Sequence, residues 1–157
     1  MSSRTYIDYG YGITTGEVDK AATADGIREL LKKAPNAKQK IEKCLAESGI
    51  AYEKATVEEF IFTYPIGKEY SETSVGELLC VALNEIAGGD IFDTVSDEDG
   101  ENYVMIYPAY PWSTVSEAYK NLDTTEKVDA LFKEAIVTIT DGKEVDAPDY
   151  QECENFG

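Results

Sequence analysis

Apolar and polar residues alternate along residues 5–13. Thr5, Ile7, Tyr9, Tyr11 and Ile13 fall on one side of an extended chain, and Tyr6, Asp8, Gly10 and Gly12 on the other. A period of two predicts a strand. Two glycines in succession on one face let another backbone approach closely. The spacing then becomes helical. Ile27, Leu30 and Leu31 predict a short helix that opens near Thr23 or Asp25 and is ended by Pro35. Asn36 is placed to cap a second helix bearing Ile41, Cys44 and Leu45, with Gly49 as its stop.

Thr56-Val-Glu-Glu59 has the spacing of a capping box before Phe60 and Ile61, and Pro65 and Gly67 then break the chain. Ser74-Val-Gly-Glu77 is a second box. It opens a helix with Leu78, Leu79, Ala82, Leu83 and Ile86 on its buried side, closed by Gly88-Gly89. Ile91–Val95 and Glu101–Tyr107 read as two strands joined through an Asp-Gly turn, since a primed turn needs positive φ. Residues 124–139 form the clearest helix, with Asp123 and Glu126 as a capping pair and Val128, Leu131, Phe132, Ala135, Ile136 and Ile139 at helical spacing. Gly142 ends it. A last strand is expected within 143–152, followed by a tail from about 150. The sum is one acidic α+β domain over residues 1–157, a small antiparallel sheet of about four strands packed against several helices.

Charge narrows the function. The chain has 31 acids, 14 bases and no histidine, for a net charge of −17. Residues 1–80 hold 13 acids and 10 bases, whereas residues 81–157 hold 18 acids and 4 bases. Such a balance argues against direct contact with nucleic acid or an anionic membrane, both of which need a positive face. Without histidine there is no Ser-His or Cys-His nucleophile pair, and the commonest general base and metal ligand is missing. Cys44, Cys80 and Cys153 are too far apart for a zinc knuckle and odd in number for a disulfide framework. Cys44 and Cys80 are expected to act as small buried hydrophobes. The start, Met1-Ser-Ser-Arg4, does not read as a secretory leader, and the longest apolar run, Leu78–Leu83, is too short to span a membrane. These features together point to a cytoplasmic protein, in a bacterium or in a cell hosting a virus.

Several local patterns suggest chemistry. Gly10, Gly12 and Gly16 resemble a dinucleotide loop, but no helix signal is read at Gly16, where phosphate binding needs helix N–H groups. Asp97-Glu-Asp-Gly-Glu101 resembles a calcium loop, yet Gly100 as its sixth position would put Val95 first, where a carboxylate is required. No metal or cofactor is therefore expected, and no catalytic residue. Tyr107-Pro-Ala-Tyr110-Pro-Trp112 is a compact aromatic cluster of the kind that anchors interfaces. The acids themselves form the strongest pattern: Asp93, Asp97, Glu98, Asp99 and Glu101 around the hairpin, Glu126, Asp129 and Glu134 on the last helix, and Glu144, Asp146, Asp149, Glu152 and Glu154 beyond it. Alternate strand residues lie about 6.6 Å apart on one face, roughly twice the phosphate rise of about 3.4 Å along a DNA strand. Carboxylates so spaced can occupy a cationic channel built for phosphates.

The opening Tyr6-Ile-Asp-Tyr-Gly-Tyr-Gly12, the acidity and the size resemble the small accessory proteins of bacteriophages and mobile elements. Among these are anti-CRISPR and anti-restriction proteins, some of which mimic DNA. The likeness lies in composition and one short segment, and no functional residue is carried over by it. It implies a non-enzymatic inhibitor of a basic, nucleic-acid-binding protein such as a CRISPR effector, restriction enzyme or nuclease. Asp93, Asp97, Glu98, Asp99, Glu101, Tyr110, Trp112, Glu126, Asp129, Glu144 and Asp146 are the expected contact residues. The alternatives are an immunity protein against a nuclease toxin, a small Asp/Glu-dependent hydrolase, and a structural phage protein.

Overall fold

A computed structural model describes residues 5–63, 75–96, 102–106 and 125–156. In chain order the elements are β1 (Thr5–Thr14), α1 (Gly16–Ala21), α2 (Ala24–Leu31), α3 (Pro35–Glu47), a 3-10 turn (Tyr52–Lys54), α4 (Val57–Thr63), α5 (Val75–Ala87), β2 (Phe92–Ser96), β3 (Asn102–Ile106), α6 (Thr125–Ile139) and β4 (Asp149–Phe156). The four strands make one sheet in the order β2-β3-β1-β4, with each neighbouring pair antiparallel. Among the described residues the chain is thus the α+β fold that its periodicities predicted.

β1 lies inside the sheet, and its alternation sets the two faces. Ile13 pairs with Val104, and Val104 with Thr94. Directly paired residues share a face, so this row meets the helices. Ile13 and Val104 are buried in the main core, and the Thr94 hydroxyl donates to Glu77 Oε1 of α5 at 3.0 Å. Phe132 of α6 completes the contact, with its ring at 84° to that of Phe92 and the centroids 5.2 Å apart. On the other face Tyr103 is buried against Val95.

The helix boundaries follow local chemistry. Thr23 caps α2, its hydroxyl accepting from Gly26 N at 2.9 Å. The Thr56–Glu59 box closes in both directions, with Glu59 N donating to Thr56 Oγ1 and Thr56 N to Glu59 Oε1. The second box and the Asp123 cap fall on Ser74 and Asp123, outside the described residues. Gly49, Gly88 and Gly142 all adopt positive φ after the helices they were read to end.

Five readings are corrected. Pro35 opens α3 instead of ending α2, because its fixed φ suits a first turn and its missing N–H is not needed there. Asn36 consequently lies inside the helix and caps nothing; Glu85 reaches across from α5 and accepts from Asn36 N at 2.9 Å and Ala37 N at 2.8 Å. A helix does begin at Gly16. It has six residues, carries Glu17 and Asp19 in its first turn, and so offers phosphate no cradle. Cys80 is buried as expected, whereas Cys44 is only half-buried. The last strand starts later than read and continues to Phe156, paired with β1 throughout.

Two close contacts join the helical layer. Gly26 faces the end of α6, where Thr23 N donates to Ile139 O at 3.0 Å. A Cβ on Gly26 would sit 2.3 Å from that carbonyl oxygen. Arg28 donates to the carbonyls of Tyr52 at 3.2 Å and Ala55 at 3.1 Å and lies over the Phe60 ring. Among the described residues the neighbouring, buried Tyr52 hydroxyl has no hydrogen-bond partner, and burial pushes its pKa up to about 12.

Gly26→Ala is expected to cost about 3 kcal/mol, at the upper end of overpacking penalties, measured as a shift in urea midpoint. Tyr52→Phe is expected to stabilise by about 1 kcal/mol, since it removes a buried hydroxyl that bonds nothing. The phenol's raised pKa contributes stability below pH 10 that is lost as pH rises toward about 12. The phenylalanine variant should lack that alkaline loss when unfolding is followed across the same range.

Candidate binding surface

The antiparallel register brings separated acidic segments to one end of the sheet. β2 leaves the sheet at Ser96 and β3 enters at Asn102, next to the place where β1 ends at Thr14 and β4 starts at Asp149. Residues 93–101 contain five acids and no base, and residues 141–149 contain four acids and one lysine. A single transverse row joins the two sheet edges: Asp93 pairs with Met105, Met105 with Gly12, and Gly12 with Asp149. Asp93 and Asp149 are both exposed, on the face turned away from the helices.

The segment between α6 and β4 is held onto α1. Glu17 Oε2 accepts from Asp146 N at 2.9 Å, and Lys143 Nζ donates to Ala21 O at 3.4 Å. Glu144 and Asp146 are exposed, and no ion pair reaches either among the described residues. Glu17 is therefore a member of this acidic end that the sequence reading missed. Thr15 before a first turn with Glu17 and Asp19 was the available signal.

The acids of α6 divide. Glu126 is exposed in the first turn. Asp129 accepts from Lys133 Nζ at 2.7 Å and from the Tyr11 hydroxyl, which also lies 3.2 Å from Pro148 O. These two bonds, that from Lys133 first, hold its carboxyl below the usual carboxylate range. Asp129 thus ties α6 to β1 and is not available to a partner. Glu134 is paired with Lys33 of the segment between α2 and α3, and both side chains are exposed. Of the other expected contact residues, Asp97, Glu98, Asp99, Glu101, Tyr110 and Trp112 lie outside the described residues.

Depressions formed by described residues lie elsewhere. A shallow groove of about 520 Å³ runs between the start of α3 and the end of α5, lined in part by Lys40, Asn84, Glu85 and Asp90. A smaller hollow of about 40 Å³ sits between Leu30, Leu83, Ile86 and Leu131 beside the Lys33–Glu134 pair. Glu85 and Asn84 are already engaged in holding α3 and the start of β2. Among the described residues no group of three or more His, Cys, Asp and Glu side chains is placed to hold a metal ion, and no helix is long and apolar enough to cross a membrane. Comparison with protein-family models, curated proteins and solved structures finds no match for this chain.

The Asp129 contacts make a sign-definite prediction. A lowered folded pKa contributes stability above the unfolded value, near 4, and that contribution is lost as pH falls through the folded value. Asp129→Asn should be less stable at neutral pH and should lose less stability between about pH 5 and pH 2. Urea unfolding at stepped pH measures both; parallel curves for the two proteins would contradict the assignment.

Proposed function

We propose that this protein works by binding: it presents the acidic end of its sheet to a basic, nucleic-acid-handling protein and inhibits it without catalysis. In its specific form the target is a host-defence nuclease, a CRISPR effector or restriction enzyme, and the carboxylates occupy the channel meant for phosphates. The observation that supports this reading is the register. It sets the end of β2 at Ser96 and the start of β3 at Asn102 at the same end of the sheet as the acid-rich segment that leads into β4. A rigid array keeps its charge separations when a partner approaches, so little ordering cost is added on binding. Concentrated charge also steers encounter with a cationic surface. Asp129 and Glu134 already make contacts within the molecule.

The test is inhibition of purified CRISPR effectors and restriction enzymes over a salt series. Competition with duplex DNA for the nuclease is expected, weakening steeply as salt rises. Reversal of Asp97, Glu98, Asp99 and Glu101 to lysine, and separately of Glu144 and Asp146, should each weaken inhibition at least about tenfold at low salt and flatten its salt dependence. Inhibition unchanged by either set, or absent against every nuclease of these classes, would overturn the proposal.

A further inference from the structure

The groove between the start of α3 and the end of α5, about 520 Å³, is large enough to hold a long side chain. Hydrogen-bond accounting shows what its α5 wall has left to offer. Gly88 and Gly89 line it, and a glycine can bring only backbone. Gly88 turns through a φ of 88° where α5 ends, and both N–H groups are spent on that turn: Gly88 N donates to Asn84 O at 2.9 Å and Gly89 N to the same oxygen at 3.0 Å. The Asn84 amide is spent too. Its Oδ1 accepts from Ile91 N at 2.8 Å and Phe92 N at 2.7 Å, and its Nδ2 donates to Phe92 O at 3.0 Å and to Cys80 Sγ at 3.7 Å. Glu85 accepts from Asn36 N and Ala37 N and keeps one acceptor site on each oxygen. The side chains of Asn84, Glu85 and Asp90 and the backbone of the two glycines therefore leave acceptors and no donor.

The charge on this wall has the matching sign. α5 is 13 residues long and has no base in its last turn, so none of its own side chains there answers the negative end of its dipole. Asp90 is exposed, and no ion pair reaches it among the described residues. Lys40 of α3 is the one cation in the lining, and it is likewise exposed and outside every ion pair of the described residues. A ligand for the α5 wall must bring donors and positive charge. A guanidinium carries five N–H donors in a planar fork and is weakly hydrated, whereas an ammonium is a compact, strongly hydrated point charge. The methylene stem of arginine also suits Ala37 and Val81, the apolar part of the lining.

We infer that this groove receives an arginine side chain of the basic partner protein, with Asp90 as its charged contact and Lys40 opposing it. The inference rests on the reading of this protein as a binder of a basic partner. It gives that partner a second contact, beside the start of β2 and so at the opposite end of that strand from Ser96.

An NMR titration of the full chain at low salt tests this with capped glycine–X–glycine peptides in which X is arginine, lysine or citrulline. Citrulline keeps the shape of arginine and lacks its charge. The arginine peptide should give saturable shifts at the amides of Lys40, Gly88, Gly89 and Asp90. The lysine peptide should bind at least about threefold more weakly, and the citrulline peptide should not saturate. Asp90→Asn should weaken arginine binding about threefold, the size of an exposed ion pair, and Lys40→Gln should tighten it. Both side chains are exposed, so neither variant threatens the fold. Shifts spread alike over all exposed acids, an Asp90→Asn protein that binds as well, or a Lys40→Gln protein that binds less, would each overturn the inference. Nuclease inhibition separates it from the reading it rests on. Groove binding by a protein that inhibits no nuclease would overturn that reading and keep the arginine site, whereas inhibition without groove binding would overturn the arginine site alone.

Discussion

The pairing of β1 with β4 joins the two ends of the described chain. Thr5 meets Phe156 and Gly12 meets Asp149, more than a hundred residues apart in sequence. The other side of β1 accepts β3, so the first strand of the chain serves as an interior strand of the sheet. Closing such a sheet requires the loop entropy of nearly the whole chain before any ladder bond forms. The helical layer reduces that cost locally. α2 packs on the end of α6 through Gly26, and Tyr11 bonds Asp129, so the contact that docks α6 also positions the start of β4.

Acidic residues serve two physical purposes here. Some are components of the fold. Glu85 closes the N-terminus of α3, Glu59 completes a capping box, Asp129 links helix to strand, and Glu134 answers Lys33. Each lies beside a donor or cation whose desolvation it offsets. Others, Glu144 and Asp146 among them, stand exposed at one end of the sheet and add mutual repulsion.

Much of the fold was legible because its signals are local. Alternation in β1, the Thr56–Glu59 box and the glycines after α3, α5 and α6 each depend on residues within a turn or two. The errors have equally definite causes. Pro35 carries the same φ preference whether it follows one helix or opens the next. α1 has six residues, too few for periodicity to register. The contact surface was legible only as an inventory of acids. Nothing near Asp129 in sequence distinguishes it from Glu126, because Tyr11 lies 118 positions away.

The sequence by itself determined most of the strands and longer helices, that a buried apolar core exists, and that the second half is strongly acidic. These are properties of residue type and short-range spacing. The tertiary structure alone decided that β1 is an inner strand, that Asp129 and Glu134 meet Tyr11 and Lys33, and that Asp93 and Asp149 share one transverse row. Those outcomes depend on which strand edges meet, and pairing across long loops is chosen by the packing of the whole chain.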